Sequence, residues 1–264
     1  MEQMTLGQMS LFQEQVNMSS PLASRLRPET LDDYVGQEHL VGKGKVLRQM
    51  IEKDMISSMI FWGPPGVGKT TLARIIAHMT HASFIDFSAV TSGIKEIKEV
   101  MKRAEDSRMM GMKTIVFVDE IHRFNKAQQD AFLPYVEKGS IILIGATTEN
   151  PSFEINSALL SRCKVFVLQA LTTEHMEKLL RHALKDPRGF GNQTIHMEER
   201  ILHGIAVFAN GDGRMALNTL DMAVLNGEIG PDGSITVKEE VLEQCTGKKM
   251  LLYAVSYTHL TLPT

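Results

Sequence analysis

An octapeptide in the first third of the chain combines glycines with a lysine and a threonine. Residues 63–70 read GPPGVGKT, which matches the spacing G-x-x-x-x-G-K-[ST], and they separate an apolar run from an amphipathic stretch. Glycines allow several backbone N–H groups to point inward, and the start of a helix favours an anion. The octapeptide therefore predicts a loop that binds nucleotide phosphates, since a plain glycine turn would need neither the lysine nor the threonine.

The side chains of this loop have separate predicted roles. We expect Lys69 to reach the β- and γ-phosphates and the Thr70 hydroxyl to ligate Mg²⁺. ATP and Mg²⁺ are accordingly the predicted ligands. The nucleotide-binding residues expected in this segment are Gly63, Pro64, Pro65, Gly66, Val67, Gly68, Lys69, Thr70 and Thr71.

Two adjacent carboxylates end a later apolar run. Residues Thr114 to Val118 form the run, and Asp119 and Glu120 follow it. Acids at the end of a buried strand are costly to desolvate unless they bind something, and the carboxyl ends of parallel strands meet at one edge of a sheet. We expect Asp119 to contribute to the Mg²⁺ shell and Glu120 to polarise the water that attacks the γ-phosphate. For the pair alone, a chance acidic turn is the alternative.

Three further segments fit hydrolysis of a phosphoanhydride. The apolar run Ile141 to Gly145 continues into Ala146–Asn150, where a hydroxyl could hold the attacking water beside Glu120. Arg162 follows a short helical pattern, and Arg214 opens a later one. Arginines stabilise the charge that develops on a transferred phosphoryl group, although either arginine taken singly is more often a solvated surface residue.

The elements that must position these residues follow from hydrophobic periodicity. Apolar residues three or four apart, such as Ile94, Ile97, Met101 and Ala104, predict helices between the apolar runs. Strands that alternate with helices predict an α/β fold with a parallel sheet between helices. The predicted strands are Met59–Trp62, Phe84–Phe87, Thr114–Val118, Ile141–Gly145 and Lys164–Leu168.

After Leu168 the strand signal stops, and the pattern predicts a small all-helical domain. Its predicted helices are Thr172–Leu184, Glu198–Phe208 and Arg214–Leu225, separated by Pro and Gly. The expected domains are a flexible tail over 1–20, a nucleotide-binding core over 21–170, a helical lid over 171–250 and a truncated end over 251–264. Within that end, residues 254–264 read as a non-native tail, with a genuine disordered tail as the alternative.

Composition limits the class of protein. The 264 residues carry a net charge of −3, so composition alone does not predict a nucleic-acid partner. The chain shows neither a membrane-spanning apolar run nor a signal peptide, so a cytosolic location without membrane contact is the default expectation. The two cysteines are too few for a disulfide framework, and the local pair His78 and His81 lacks the partners of a metal site.

Taken together, the motifs resemble those of AAA+ ATPases. In that resemblance GPPGVGKT is the Walker A motif and IVFVDE the Walker B motif, and Thr148 is the sensor 1 residue. It also implies that Arg162 is an arginine finger acting in trans on a neighbouring subunit, and that Arg214 is the sensor 2 residue. Val35 and Gly36 would border the adenine.

A narrower resemblance is to the family of replication-associated recombination protein A, a group similar to clamp loaders. It rests on DEIHRFNKAQQDAFLPYVEKG, IGATTENPSFEINSALLSRC and GDGRMALNTLD, and covers about residues 21–253. The resemblance implies a DNA-dependent ATPase at duplex ends, gaps or stalled forks, in replication, recombination and repair. The helix with Lys95 and Lys98 is a candidate for facing DNA, although the alternating glutamates favour a solvated face.

The resemblance also sets expectations for partners and for the chain ends. Family members continue into a further helical domain that mediates tetramer formation, so we expect a truncated chain whose homo-oligomer is in doubt. The N-terminal peptide QMSLF resembles segments that bind the bacterial sliding clamp, with Gln8, Leu11 and Phe12 as contact residues. Single-strand-binding protein is a further expected partner. The alternatives are a truncated ATP-binding interaction module without turnover, a clamp-loader subunit and a RuvB-like branch-migration motor.

Overall fold

The computed structural model describes residues 20–88 and 93–247. The clamp-binding prediction at residues 8–12 and the terminal segment 251–264 lie outside these residues. Within the described ranges, none of the helices has the length and apolar character needed to cross a membrane.

Strands and helices alternate along the first part of the chain. The strands are β1 (Met59–Trp62), β2 (Ser83–Ser88), β3 (Thr114–Asp119), β4 (Ile142–Thr147), β5 (Lys164–Val167), β6 (Ile195–Met197), β7 (Glu228–Ile229) and β8 (Ile235–Val237). The helices are α1 (Leu22–Arg25), α2 (Glu38–Val41), α3 (Val46–Glu52), α4 (Lys69–Met79), α5 (Ile94–Met109), α6 (Lys126–Asp130), α7 (Leu133–Glu137), α8 (Pro151–Glu154), α9 (Ser157–Leu160), α10 (Thr173–Lys185), α11 (Glu199–Phe208), α12 (Gly213–Leu225) and α13 (Glu239–Thr246), with a 3₁₀ turn at Ile121–Arg123.

The described residues form two compact units. Residues 28–170 make the first unit, and residues 20–27 and 171–247 make the second. We call them the core unit and the helical unit. The expected α/β fold with a parallel sheet is confirmed in the core unit.

The core unit is built on a five-stranded parallel sheet in the order β2-β3-β4-β1-β5. Strand side chains alternate between two apolar clusters, as a period of two requires. On β3, Ile115 and Phe117 belong to one cluster with the helix α4, and Val116 and Val118 belong to the other with α5. Burial on both faces explains why the central strands β1, β3 and β4 read as continuous apolar runs.

The helical unit packs α10 to α13 around one apolar cluster. Its described residues also contain a small sheet of three strands in the order β6-β8-β7, which hydrophobic patterning did not predict. Each strand has only two or three residues, too short for a periodic signal.

The segment before residue 28 belongs to the helical unit, although we expected the core to begin at residue 21. Leu22 in the short helix α1 and Leu26 directly after it are four residues apart, and both pack in the cluster of Leu180 and Leu220. Arg25 also forms an ion pair with Asp221 of α12, with 3.9 Å between Nη2 and Oδ1. The spacing of two apolar residues in a sequence does not show which apolar cluster they join.

Candidate active site

Three strand ends bring the predicted catalytic segments to one edge of the sheet. Strand β4 lies between β1 and β3, with Trp62 opposite Thr147 and Val118 opposite Gly145. The loop 63–70 follows β1, Asp119 ends β3, and Glu120 comes directly after it. The carboxyl edge of the sheet therefore gathers the phosphate-loop motif, the acidic pair and the end of β4.

The loop 63–70 has the backbone shape that its glycines predict. Gly66 and Gly68 have positive φ angles of 69° and 95°, a region that favours glycine. A Cβ on Gly63 would lie 2.4 Å from the Leu168 carbonyl oxygen, so the close approach of β1 and β5 excludes a side chain there. The buried Lys69 Nζ donates to the Gly63 and Pro64 carbonyl oxygens, both at 2.7 Å. The ammonium group is thus held inside the loop that would surround the phosphates.

A tyrosine that the sequence did not single out braces this loop. The buried Tyr34 Oη lies 3.2 Å from the Val67 oxygen and 3.1 Å from the Gly68 oxygen, and donates to these carbonyls. A Cβ on Gly68 would lie 2.7 Å from the same Oη. Burial raises the pKa of Tyr34, so its hydroxyl stays a donor at neutral pH. In the sequence, the aromatic residue directly before Val35 and Gly36 was the feature that could have pointed to this role.

The two residues predicted to border the adenine sit in a segment that is tied to β5. Val35 is half-buried, and Gly36 is buried with a φ angle of 80°. The next residue, Gln37, uses its amide to donate to the Gln169 oxygen at 2.7 Å and to accept from the Gln169 nitrogen at 2.9 Å. These paired bonds hold the segment beside the carboxyl edge of the sheet.

The acidic pair at the end of β3 is held in a charged environment. Burial, followed by the neighbouring charge of Glu120, raises the pKa of Asp119, while the Lys69 charge opposes that rise. Glu120 adopts a left-handed backbone with φ of 51°, and its N–H donates to Asp119 Oδ1 at 3.1 Å. Two partly desolvated carboxylates near one ammonium make a donor set that suits a divalent cation.

Histidine and threonine side chains link Glu120 to strand β4. The Nδ1 atom of His122 lies 2.9 Å from Thr147 Oγ1 and 3.3 Å from Glu120 Oε2. Thr147 is fully buried, whereas the predicted Thr148 beside it is half-buried. Sequence reasoning named only Thr148, because two adjacent threonines do not show which one faces the neighbouring strand.

Arg162 lies at the opposite edge of the same sheet. It precedes β5, whose first residue, Lys164, pairs with Met59 at the start of β1, whereas the phosphate-loop motif follows the end of β1. The length of β1 alone separates the two by roughly 10 Å. Arg162 Nη2 forms an ion pair with Glu137 at 2.6 Å, and Nη1 donates to the Ala158 oxygen at 2.7 Å. It also lines a cleft of about 740 Å³ at this amino edge.

The other predicted arginine belongs to the helical unit. Arg214 is exposed in the first turn of α12. Asp212 caps this helix by accepting from the backbone nitrogens of Arg214 and Met215 at 2.9 and 3.0 Å. The cap fixes where the helix begins and therefore where the arginine leaves the backbone.

Two family models match the chain. Residues 59–171 match the ATPase family associated with various cellular activities (AAA), and residues 191–257 match the AAA C-terminal domain. The fold agrees with solved structures of the RuvB Holliday junction branch migration motor of Thermotoga maritima. That likeness has a TM-score of 0.66 at 24% identity and covers 84% of this chain and 72% of the RuvB chain. The fold and the two family matches place the chain in the AAA+ class of proteins.

Curated relatives narrow the class. Replication-associated recombination protein A of Haemophilus influenzae is 56% identical over 209 residues, which are 79% of this chain and 47% of that protein. The protein of the same name from Escherichia coli K12 is 52% identical over 234 residues, 88% of this chain and 52% of that protein. The chain belongs to the family of replication-associated recombination protein A. It spans about half the length of these relatives.

Proposed function

We propose that this chain binds ATP with Mg²⁺ at the carboxyl edge of the core sheet and hydrolyses it. The observation that supports this most directly is the placement of the Lys69 ammonium and the Asp119–Glu120 pair at that one edge. A lysine held inside a glycine loop neutralises phosphate charge, and an acidic pair beside it supplies both a metal ligand and a base.

The proposed ligand shell uses residues of the loop and of β3. Thr70 and Asp119 hold Mg²⁺ in this proposal, and the remaining positions suit phosphate oxygens and water, as is common for this ion. When bound, Mg²⁺ supplies positive charge that neutralises the phosphate oxygens. Residues 63–71 surround the phosphates, and Val35 and Gly36 border the base.

The proposed hydrolytic step depends on Glu120 as general base. Glu120 takes a proton from the attacking water, and Thr148 at the end of β4 helps to hold that water. Arg162 acts on the site of a neighbouring copy, because its position at the amino edge keeps it from its own phosphate loop. Arg214, in the first turn of α12, is the proposed sensor 2 residue.

The proposed cellular role follows the names of the relatives. We infer that the ATPase acts in the cytoplasm on duplex ends, gaps or forks during replication-linked recombination and repair, and that DNA stimulates it. A homo-oligomer, tetrameric in the full-length family, would convert hydrolysis into work on DNA. The peptide Gln8–Phe12 is proposed to bind the sliding clamp, and single-strand-binding protein is a further proposed partner.

A second candidate function is a nucleotide-dependent interaction module without turnover. The ion pair between Arg162 and Glu137 favours it, since an arginine that stays paired with Glu137 does not act on the nucleotide of a neighbouring copy. In that case the chain binds ATP and recruits partners but does not release phosphate.

The test compares phosphate release with and without DNA ends or gapped duplex. We expect DNA-stimulated hydrolysis for the wild-type chain. The Glu120→Gln variant should retain ATP affinity and lose about 10²- to 10⁴-fold in kcat, because a general base contributes on that order. Tight ATP binding by a wild-type chain that releases no phosphate would support the interaction module. Loss of ATP binding in Glu120→Gln would remove the case for a base.

A further inference from the structure

A continuous set of contacts runs from the phosphate-loop motif to the proposed base. The first glycine of the motif, Gly63, donates its N–H to the Thr147 carbonyl oxygen at 3.1 Å. The hydroxyl of the same threonine lies 2.9 Å from His122 Nδ1, and that nitrogen lies 3.3 Å from Glu120 Oε2. One buried threonine therefore contacts the loop through its backbone and the histidine through its side chain.

We propose that His122 is a positioning residue that holds the Glu120 carboxylate and couples its orientation to the end of β4. This inference rests on the proposed function, because it concerns the base of that reaction. His122 does not touch the reacting atoms in this account. It acts through Glu120, and its contact with Thr147 connects it to the phosphate loop.

The geometry around the histidine fits such a role. Its side chain is 15% exposed, which restricts its motion, while the Glu120 side chain is 33% exposed and keeps access to water. The Nδ1 atom is closer to Thr147 than to Glu120, so a small shift of either partner changes how that nitrogen is shared. The Thr147 hydroxyl is itself fixed, because it accepts from the Glu149 nitrogen at 3.0 Å.

The backbone makes Glu120 depend on outside support. A non-glycine residue at φ of 51° is in a sparsely populated region, and Glu120 occupies it at the start of the 3₁₀ turn that carries His122. The turn places the histidine two residues later, back against β4. A glutamate on this turn without a lateral contact would have more than one orientation for its carboxylate.

The chain offers a matched control. In the helical unit, His203 Nδ1 lies 2.7 Å from Glu177 Oε1, which is also a histidine–glutamate contact. It has no place in the proposed reaction. A general effect of losing such a pair would therefore appear in His203→Ala as well.

The kinetic experiment measures kcat, KM and ATP affinity for His122→Ala, His122→Asn, Thr147→Val and the double variant His122→Ala/Thr147→Val. We expect kcat of His122→Ala to fall by about 10- to 100-fold, since misplacement of a catalytic group by 1 Å can cost 10²-fold. Affinity for ATP should stay within about threefold, the order expected when only the transition state is affected. His122→Asn should recover part of the loss, because its amide nitrogen can replace Nδ1.

The coupling between the effects of the His122 and Thr147 substitutions distinguishes a positioning role from simple structural support. If the two side chains act as one unit, the double variant should be no slower than His122→Ala, whereas independent effects would multiply. His203→Ala should match the wild type. A wild-type kcat in His122→Ala, a loss confined to ATP affinity, or multiplying effects would each overturn the inference.

A second measurement does not depend on turnover. The ring-nitrogen NMR shifts of His122 should move in Thr147→Val and in Glu120→Gln and stay unchanged in His203→Ala. If neither substitution moves them, the contact does not operate in solution and the inference is wrong. A wild-type chain that binds ATP without hydrolysis would contradict the proposed function, while the NMR result would still decide whether His122 links Thr147 to Glu120.

Discussion

At the scale of single residues, the acidic pair shows a conflict between stability and function. Asp119 is partly buried beside Glu120, and both effects raise its pKa. Between its unfolded value of 3.8 and the raised folded value, the folded protein binds more protons than the unfolded one. Stability is therefore lost as the pH rises through that window. The ionised Asp119 therefore lowers the stability of the folded protein at neutral pH.

The first prediction follows from this cost. Without Mg²⁺ and nucleotide at pH 7, Asp119→Asn should raise Tm by about 2 °C, because it removes a partly desolvated charge. An Asn can still accept from the Glu120 nitrogen. Adding ATP with Mg²⁺ should stabilise the wild type much more than the variant. Differential scanning fluorimetry measures both effects, and a lower Tm for the apo variant would contradict the account.

At the scale of elements, a loop that binds phosphates must keep its shape before the ligand arrives. The buried Tyr34 hydroxyl contacts two carbonyl oxygens of the loop, those of Val67 and Gly68. Gln37 fixes the following segment to Gln169 by two hydrogen bonds. Contacts of this kind pre-organise the loop, and pre-organisation raises affinity because less order must be imposed on binding.

The second prediction concerns this brace. Tyr34→Phe should weaken ATP binding by about 2- to 10-fold, the equivalent of one net hydrogen bond of about 0.5–1.5 kcal/mol. Isothermal titration calorimetry measures the affinity. Tyr135→Phe on α7, a part of the core unit that does not contact the loop, is the matched control and should bind ATP as the wild type does. Equal affinities for Tyr34→Phe and the wild type would show that the loop does not need the hydroxyl.

Charged side chains stabilise the C-terminal end of α10 in the helical unit. Asp186 accepts from the Arg188 backbone nitrogen and from its Nη2, both at 2.8 Å, and lies 3.1 Å from His182 Nε2. The Arg188 guanidinium, as the largest influence, lowers the pKa of Asp186 to about 2. A lowered pKa means that the ionised form stabilises the folded state. This contribution is present above 3.8 and is lost as the pH falls towards 2.

The third prediction uses this pH dependence. Asp186→Asn should lower Tm at pH 7 by about 2–4 °C, and the difference should shrink as the pH falls below the unfolded value. Thermal unfolding followed by circular dichroism across that range provides the measurement. Glu198→Gln removes an exposed partner of Arg200 and should change Tm little, since exposed pairs contribute little. A pH-independent difference for Asp186→Asn would point to packing instead of charge.

At the scale of the whole molecule, the position of Arg162 on the sheet determines which copy's phosphate loop it could reach. Arg162 lies at the amino edge and the phosphate loop at the carboxyl edge of one sheet. A rigid sheet keeps these edges apart, so in the proposed function Arg162 would act on the nucleotide of a neighbouring copy and not on its own. Head-to-tail contacts between copies are the arrangement that joins unlike edges.

The fourth prediction tests that arrangement by mixing two inactive variants. Arg162→Ala and Glu120→Gln should each hydrolyse ATP poorly. An equal mixture should recover about a quarter of the wild-type rate, because half of the sites keep Glu120 and half of their neighbours keep Arg162. Arg181→Ala, an exposed arginine of the helical unit, should behave as the wild type. Wild-type activity in Arg162→Ala would show that no finger acts.

The sequence alone determined the parts whose signals are local. The spacing of GPPGVGKT identified the loop, and apolar runs located β1 to β5 to within two residues at either end. The signal is continuous in β1, β3 and β4, because burial on both faces leaves few polar positions there. The order of the strands and the identity of the side chains that meet across them were decided by the tertiary structure. Thr147 instead of Thr148 facing His122, Tyr34 under the loop and Leu22 with the helical unit all depend on contacts between distant segments. Hydrophobic periodicity describes which face of an element is buried, but it carries no information on which element buries it.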